Sequence, residues 1–197
     1  MKQRPMIAVV DPNTLAVMGL RQMLQSVMPI MVVEAFGSFD CLLANDPDRF
    51  VHYFVAQSVV LAHRPFFLER RHKTIVTTLS QDPQTQLSSF HSLCVNQSEE
   101  GVVKDLLHLE QGAHAGGHNL PPMPHALTEK VLSDREIEVL SLIAQGLINK
   151  EIADQLNIGL TTVISHRKNI QEKLGLKGVS ALTIYAVTHG YVDVSKI

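Results

Sequence analysis

The segment from Asn149 to Gly175 constrains the fold of this chain more than any other stretch of the sequence. The spacing of its apolar residues predicts one short helix at about Lys150–Leu156 and a second helix from about Leu160 to Leu174. Asn157-Ile158-Gly159 lies between them and contains two residue types that tolerate the backbone angles of a sharp turn. The segment therefore predicts two helices joined by a tight turn.

The two faces of the second helix differ in chemistry. One face is apolar and would be buried, and the helix would end at a glycine: Val163, Ile170, Leu174 and Gly175. The other face carries hydroxyl, amide and cationic side chains: Thr161, Thr162, Ser165, His166, Arg167, Lys168 and Asn169. Such groups on a helix can enter the major groove of DNA and hydrogen-bond base edges and phosphates. An ordinary solvated face is the alternative, but the preceding helix and turn and the local cationic character favour DNA.

Four segments around this pair resemble the LuxR-type helix-turn-helix domain of bacterial transcription regulators, in both spacing and residue identity. They are LSDREIEVLSLIAQG (132–146), NKEIADQLNI (149–158), TTVISHRKNIQEKLG (161–175) and VSALTIYAV (179–187). The first segment also begins with a capping box, Ser133 to Glu136, and ends at Gly146. The resemblance implies an all-α four-helix domain at 128–197 that binds double-stranded DNA, with a homodimer as the expected assembly.

The resemblance also implies roles for individual residues. The base-facing positions are Ile164, Ser165, Lys168 and Asn169. The phosphate-facing positions are Lys150, Thr161, Thr162, His166, Arg167 and Lys173. The last helix is commonly the dimer contact in this family, which points to Leu182, Tyr185 and Ala186, although packing into the core is the alternative for these residues.

Two positions depart from the family pattern. The family usually has Lys where this chain has Ile164, and Ser where it has Gly159. Loss of a cation would weaken the salt-dependent part of DNA affinity and could turn base preference toward a thymine methyl group. Loss of the serine removes a helix cap, for which Thr161 could substitute one turn further along.

Residues 1–110 alternate between apolar runs and helical patterns, which predicts a parallel sheet covered on both faces. The predicted strands are Met6–Val10, Ile30–Ala35, Val51–Ala56, Lys73–Leu79 and Leu93–Val95. The predicted helices are one capped by Asn13 or Thr14, then Phe39–Ala44, Val59–Arg71 and Gly101–Glu110. In front of a LuxR-type domain, this order resembles the flavodoxin-like α/β receiver domain of response regulators, best at VVDPNTLAVMGL (9–20).

The phosphoryl chemistry of a receiver is not encoded here. Receivers carry a pair of acids after the first strand, but this chain has Asp11 followed by Pro12. They need an aspartate at the end of the third strand, and no acid lies between Asp48 and Glu69. A lysine is expected near the end of the fifth strand, where Asn96 stands instead. Asp11 with a threonine at the end of the fourth strand (Thr78, or Thr77) cannot balance the charges of Mg²⁺ and phosphate.

We therefore expect an atypical receiver-like domain that does not depend on aspartyl phosphorylation. It would serve for dimerisation or for binding a signal, from a sensor protein or a small ligand. A decayed scaffold that only holds the DNA domain is the plainer alternative. Unusual phosphorylation at Asp11 or elsewhere is a third.

Residues 111–127, QGAHAGGHNLPPMPHAL, predict a linker because they are rich in Gly, Pro and His and lack apolar periodicity. His114, His118 and His125, with His108 just before them, could in principle bind a transition metal. Their spacing fits no compact motif, so we expect a solvated linker and no metal or other cofactor.

Composition limits the remaining function classes. No apolar run approaches the roughly 20 residues of a membrane helix, and the first residues do not resemble a signal peptide. Two cysteines in the whole chain fit a reduced, cytoplasmic protein. A formal net charge of −2 argues against indiscriminate nucleic-acid binding by the whole chain, but not against a local DNA-reading face. No paired carboxylates, Cys/His couple or phosphate-binding glycine loop indicates an enzyme. We expect a sequence-specific transcription regulator, and the alternative is a protein-interaction adaptor whose DNA face does not function.

Overall fold

The computed structural model describes residues 4–82, 85–115, 131–193 and 197. Contacts divide the chain into two compact units. The first contains the described residues within 1–78 and 87–125, and the second contains those within 79–86 and 126–197. Among the residues described, no helix combines the length and the apolar character needed to cross a membrane.

The first unit contains a five-stranded, fully parallel sheet with strand order β2-β1-β3-β4-β5. The strands are β1 (Met6–Val10), β2 (Val32–Phe36), β3 (Phe50–Ala56), β4 (Thr74–Thr78) and β5 (His91–Cys94). This order is that of doubly wound, flavodoxin-like sheets, in which the chain reverses direction of winding beside β1. The predicted fold class is confirmed.

Helices cover both faces of this sheet, as parallel sheets require. They are α1 (Thr14–Val27), α2 (Phe39–Leu43), α3 (Gln57–Ala62), α4 (Arg64–Glu69) and α5 (Glu99–Ala115). The side chain of Asn13 caps α1 by accepting hydrogen bonds from two backbone N–H groups, as the sequence predicted. One core, between the sheet and helices α1 and α5, is built from aliphatic residues and Phe54.

Two predicted helices differ from the structure. The helix expected at Val59–Arg71 is broken at His63 into α3 and α4, and Pro65 lies in the first turn of α4, where its missing N–H is tolerated. The helix expected at Gly101–Glu110 extends to Ala115 and so includes the start of the predicted linker. Residues 116–127 of that linker, with His118 and His125, lie outside the described residues, as does the side chain of His114.

The second unit contains four helices within its described part: α6 (Asp134–Ala144), α7 (Asn149–Leu156), α8 (Leu160–Leu174) and α9 (Val179–Thr188). This confirms the predicted all-α domain. Gly146 and Gly175 both adopt positive φ and end α6 and α8, which only glycine does without strain. The core is formed by aliphatic side chains from all four helices, among them Leu140, Ile152 and Ile170.

The N-terminus of α6 is closed by the predicted capping box. The Glu136 backbone N–H donates to Ser133 Oγ (3.3 Å), and the Ser133 backbone N–H donates to Glu136 Oε2 (2.7 Å). Lys173 of α8 also donates to Glu136 Oε2 at 2.7 Å. Burial alone would raise the pKa of the Glu136 carboxyl, but the hydrogen bonds from Lys173 and Ser133 outweigh it and hold the pKa below its ordinary value.

The short segment 79–86 belongs to the second unit although it follows β4 in the chain. Tyr191, just after α9, is buried and donates its hydroxyl to the carbonyl of Thr85 at 2.7 Å. The ring of Tyr191 lies beside those of Tyr185 and His189. Burial raises the pKa of the Tyr191 hydroxyl, so it remains a donor at physiological pH.

Replacing Glu136 with Gln tests the junction between α6 and α8. We expect a loss of about 1–3 kcal/mol in the free energy of unfolding at pH 7, because a charged hydrogen bond is replaced by a neutral one. A lowered folded-state pKa stabilises the protein above the ordinary value of 4.5, and this stabilisation is lost as the pH falls through the folded pKa. The difference between wild type and variant should therefore shrink in acid, measured by urea unfolding at pH 7 and pH 4.

Glu172→Gln is the matched control, because it removes the same charge from an exposed position on α8. It should change stability by less than about 0.5 kcal/mol. An equal loss in both variants, or a loss from Glu136→Gln that does not depend on pH, would contradict the assignment.

Candidate nucleic-acid interface and receiver-like site

Helix α8 presents one polar face and one buried face, as the sequence predicted. Val163 and Ile170 are fully buried, which fixes the rotation of the helix about its axis. The residues predicted to face bases are all exposed: Ile164, Ser165, Lys168 and Asn169. Ser165 donates its hydroxyl to the backbone carbonyl of Thr161 at 3.0 Å, a bond that leaves the hydroxyl oxygen free to accept. The structure thus brings the predicted base-facing set together on one surface.

Lys168 is the most available cation of this face. Its side chain is 74% exposed, and its Nζ lies 3.6 Å from the carboxylate of Glu172, one turn further along the helix. An exposed pair at this spacing is worth at most about 1 kcal/mol. The ammonium group can therefore leave Glu172 for a stronger acceptor at little cost.

Two of the predicted phosphate contacts are engaged inside the domain. Arg167 Nη1 donates to the side-chain oxygen of Asn149 at 3.1 Å, which ties α8 to the start of α7. Lys173 is the partner of Glu136 described above. Both residues therefore stabilise the packing of α8 against its neighbouring helices, whatever other contacts they make. Lys150, by contrast, is exposed in the first turn of α7.

The start of α8 lacks a side-chain cap. Gly159 occupies the cap position with an extended backbone (φ −67°), and Thr161 does not provide the substitute bond that the sequence suggested. The strained residue of the turn is Asn157 (φ 52°), so the prediction of unusual backbone angles is right for Asn157 and wrong for Gly159. Thr161 and Thr162 are exposed at this end, where the helix dipole is positive and no acidic residue lies in the first turn.

The expected dimer residues of α9 need correction. Leu182 and Ala186 are both 0% exposed, because their face of α9 packs into the core of the domain, so they offer no surface to a second subunit. Tyr185 is half-buried and stacks on the ring of His189 at 4.0 Å. The exposed apolar residues of this helix are Val179 and Ile184, the latter 65% exposed. The sequence pattern identified an apolar helix but not which of its faces the domain covers.

At the carboxyl end of the sheet, the chain keeps the geometry of a receiver but not its acids. Asp11 follows β1 and accepts a hydrogen bond from the Asn13 backbone N–H at 2.7 Å. Gln57 follows β3, where a receiver needs its acceptor aspartate, and Asn96 is exposed beyond β5. Thr78 is buried at the end of β4. Side chains alternate between the two faces of a sheet, so Thr77 lies on the face that carries Phe54 and Thr78 lies on the opposite face.

Gln57, which directly follows β3, is a residue that sequence inspection missed. Its side chain is 2% exposed, and neither its amide nitrogen nor its amide oxygen has a hydrogen-bond partner in the structure. The available signal was its position directly after the buried run Val51–Ala56. An amide cannot accept a phosphoryl group as a carboxylate does.

These residues do not fit the Mg²⁺ ion that receivers use. Mg²⁺ prefers octahedral coordination by hard oxygen ligands, usually with one or more carboxylates. Here Pro12, which has no side-chain ligand, stands in place of the second acid after β1, and Gln57 follows β3 where a receiver has its acceptor aspartate. Within the described part of the chain, no three or more His, Cys, Asp or Glu side chains are grouped to hold a metal ion.

Comparison with known proteins identifies the helical domain. Residues 130–186 match the family of bacterial regulatory proteins described as the luxR family. The oxygen regulatory protein NreC of Staphylococcus aureus strain JH9 is 50% identical over 58 residues, which is 29% of this chain and 27% of that protein. The same values hold for NreC of strain USA300. The match thus spans about a quarter of the length of these curated relatives.

Solved structures show the fold of the whole chain. RcsB from Salmonella enterica serovar Typhimurium, bound to promoter rprA with the phosphomimetic BeF₃⁻, has a TM-score of 0.66 and 21% identity, over 93% of this chain and 98% of that one. A structure of two RcsB dimers bound to two parallel DNAs gives 0.64 and 21%, with the same coverage. The chain therefore combines an α/β domain of receiver-like fold with a helical domain that matches the luxR family over residues 130–186.

Proposed function

We propose that this chain, whose C-terminal domain belongs to the luxR family, is a sequence-specific DNA-binding transcription regulator. The observation that carries the proposal is the exposed polar face of α8, which the buried Val163 and Ile170 hold away from the core. A helix of this width fits the major groove, and its face carries hydroxyl, amide and ammonium groups suited to base edges.

In this proposal, Lys168 and Asn169 contact bases through hydrogen bonds, and Ile164 contacts a thymine methyl group. The uncapped start of α8 receives a backbone phosphate, because its dipole is positive and Thr161 and Thr162 add hydroxyl donors there. Lys150 and His166 contact phosphates on either side, which sets the register of the protein without reading sequence. Arg167 and Lys173 add positive potential, but their hydrogen bonds within the domain leave them less available for phosphate contacts.

We further propose that the protein acts as a homodimer on a two-fold-related DNA site. Solved relatives support this, since RcsB is seen as dimers bound to DNA. Val179 and Ile184 supply the apolar contact of α9, because they are exposed where Leu182 and Ala186 are not. The two-fold axis would place two copies of α8 in successive major grooves.

Control of this regulator does not depend on aspartyl phosphorylation in our proposal. Asp11 remains, but Pro12 and Gln57 replace the second acid and the acceptor. Gln57, whose buried amide has no hydrogen-bond partner, directly follows β3, where a receiver has its acceptor aspartate. The domain instead supplies dimerisation or receives a signal from a sensor protein or a small ligand.

Replacing Lys168 with Ala tests the DNA-binding function. DNA fragments are first selected from a random pool with the intact chain, and affinities are then measured at two salt concentrations. The variant should lose about 1–3 kcal/mol of discrimination for the selected site, the worth of a good base contact. Lys104→Ala, an exposed lysine of the other unit, should bind as wild type does. Unchanged binding by Lys168→Ala would favour the adaptor hypothesis, and no binding at low salt would overturn the proposal.

Replacing Ile164 with Lys restores the cation that the family usually has. Ile164 is exposed, so the change does not disturb the core. The slope of log affinity against log salt concentration should become steeper by about 0.9 if the new ammonium neutralises one phosphate. Ile164→Leu keeps an apolar side chain and should leave the slope unchanged. A slope that is equal in both variants would place residue 164 away from the DNA.

Incubation of the intact chain with acetyl phosphate and Mg²⁺ tests independence from phosphorylation. We expect no phosphoryl adduct by intact-mass spectrometry and no change in DNA affinity, because the residues around Asp11 cannot hold the ion and lack the acceptor. The double variant Pro12→Asp/Gln57→Asp should gain Mg²⁺ binding by titration, and Pro12→Asp alone should gain less. A phosphoryl adduct on the wild-type chain would overturn this part of the proposal.

A further inference from the structure

Helix α8 carries two aliphatic residues that its own domain leaves uncovered. Leu160 is 48% exposed and Ile164 is 49% exposed, whereas Val163 and Ile170 of the same helix are fully buried. Residues four positions apart are neighbours on the surface of a helix, with Cβ atoms about 5–6 Å apart. Leu160 and Ile164 therefore form a short apolar row on the outer surface of α8.

This apolar row lies within the polar face of the helix. Thr161 and Ser165 form a parallel row beside it, and both are exposed. Lys168, also exposed, continues the line of Leu160 and Ile164 by one further turn. A single exposed aliphatic residue on a protein surface needs no explanation. Two that share one line with Lys168 enter the major groove with it if α8 is the recognition helix.

The major groove offers an aliphatic side chain one apolar partner. The base edges there present hydrogen-bond donors and acceptors, and thymine adds its C5 methyl group. An aliphatic side chain placed against the polar groups would take them out of water without giving them a hydrogen-bond partner, which costs free energy. Against the methyl group, apolar surface on both molecules leaves water, which is favourable. The chemistry of the row therefore selects thymine.

Ser165 suits the partner base of thymine. Its hydroxyl donates to the backbone carbonyl of Thr161 at 3.0 Å, so its oxygen can accept a hydrogen bond. Adenine, which pairs with thymine, presents the N6 amino group as a donor in the major groove. The apolar row and the neighbouring hydroxyl row thus favour the same base pair, A·T.

We propose that Leu160 and Ile164 recognise the C5 methyl groups of two thymines that lie in neighbouring base pairs or one pair apart. The spacing follows from the length of the row, because about 5–6 Å between the side chains spans one to two steps of about 3.4 Å along a DNA strand. This inference rests on the proposed DNA-binding function. It adds Leu160 to the residues that read sequence and makes thymine methyl groups a required feature of the target site.

Deoxyuridine in place of thymidine tests the inference, because it removes the methyl group and keeps the hydrogen-bonding groups of the base. A DNA site is selected from a random pool with the intact chain, and each thymine of that site is then replaced in turn. Affinity should fall about fourfold at each of two positions, as expected for the burial of one methyl group. Deoxyuridine in the flanking DNA should leave the affinity unchanged.

Leu160→Ala and Ile164→Ala assign the two positions. Each variant should bind the thymine site more weakly than wild type, by at least the same fourfold, because alanine is too short to cover the methyl group. Each should also lose its sensitivity to deoxyuridine at one of the two positions and keep it at the other. Leu43→Ala, at an aliphatic residue of the other unit with a similar exposure of 45%, should behave as wild type does.

The possible failures are distinguishable. Equal affinity for the thymine and deoxyuridine forms of a selected site would overturn this inference and leave the DNA-binding function intact. Sensitivity to deoxyuridine that persists unchanged in both alanine variants would place the methyl groups against other residues and would also overturn it. If the intact chain selects no site at all, the proposed function fails, and this inference fails with it.

Discussion

The hydrogen bonds to the Glu136 carboxylate are the interactions on which the helical domain depends. The carboxylate accepts hydrogen bonds from the backbone N–H and the hydroxyl of Ser133 and from the ammonium group of Lys173. One buried side chain therefore fixes where α6 begins and how α8 packs against it. A buried carboxylate without these donors would carry a large desolvation cost. The hydrogen bonds from the donors offset this cost and allow Glu136 to remain charged inside the domain.

This anchoring decides which cations of α8 remain available to an external partner. Lys173 and Arg167 already have partners that hold α8 to α6 and α7, and moving them would disturb the packing of the helix. Lys168 has only an exposed partner at i+4, which is worth little in water. A family resemblance treats these cations alike, because it sees residue types at given positions. The structure divides them into Lys173 and Arg167, which hold α8 in place, and Lys168, whose partner is exposed.

Local chemistry explains what could be predicted from the sequence. Apolar runs located the five strands, and Ser133 with Glu136, Gly146 and Gly175 located helix ends, since each signal acts within a few residues. What failed depended on distant partners. The bond between Lys173 and Glu136 joins residues that are 37 positions apart. The burial of Leu182 and Ala186 depends on which face of α9 the other helices cover, and a nearly all-apolar helix gives no periodicity to decide it.

The receiver-like domain shows how a fold can keep a site and change its chemistry. Parallel strands deliver the residues after β1, β3 and β4 to one edge whatever those residues are. With acids at these positions the edge would hold a hard divalent ion, but here Asp11 is the carboxylate that remains, beside Pro12 and the amide of Gln57. A single carboxylate supplies fewer hard oxygen ligands than such an ion prefers. The fold thus keeps the position of the site, while the residues at that position no longer form the set of carboxylates that suits Mg²⁺.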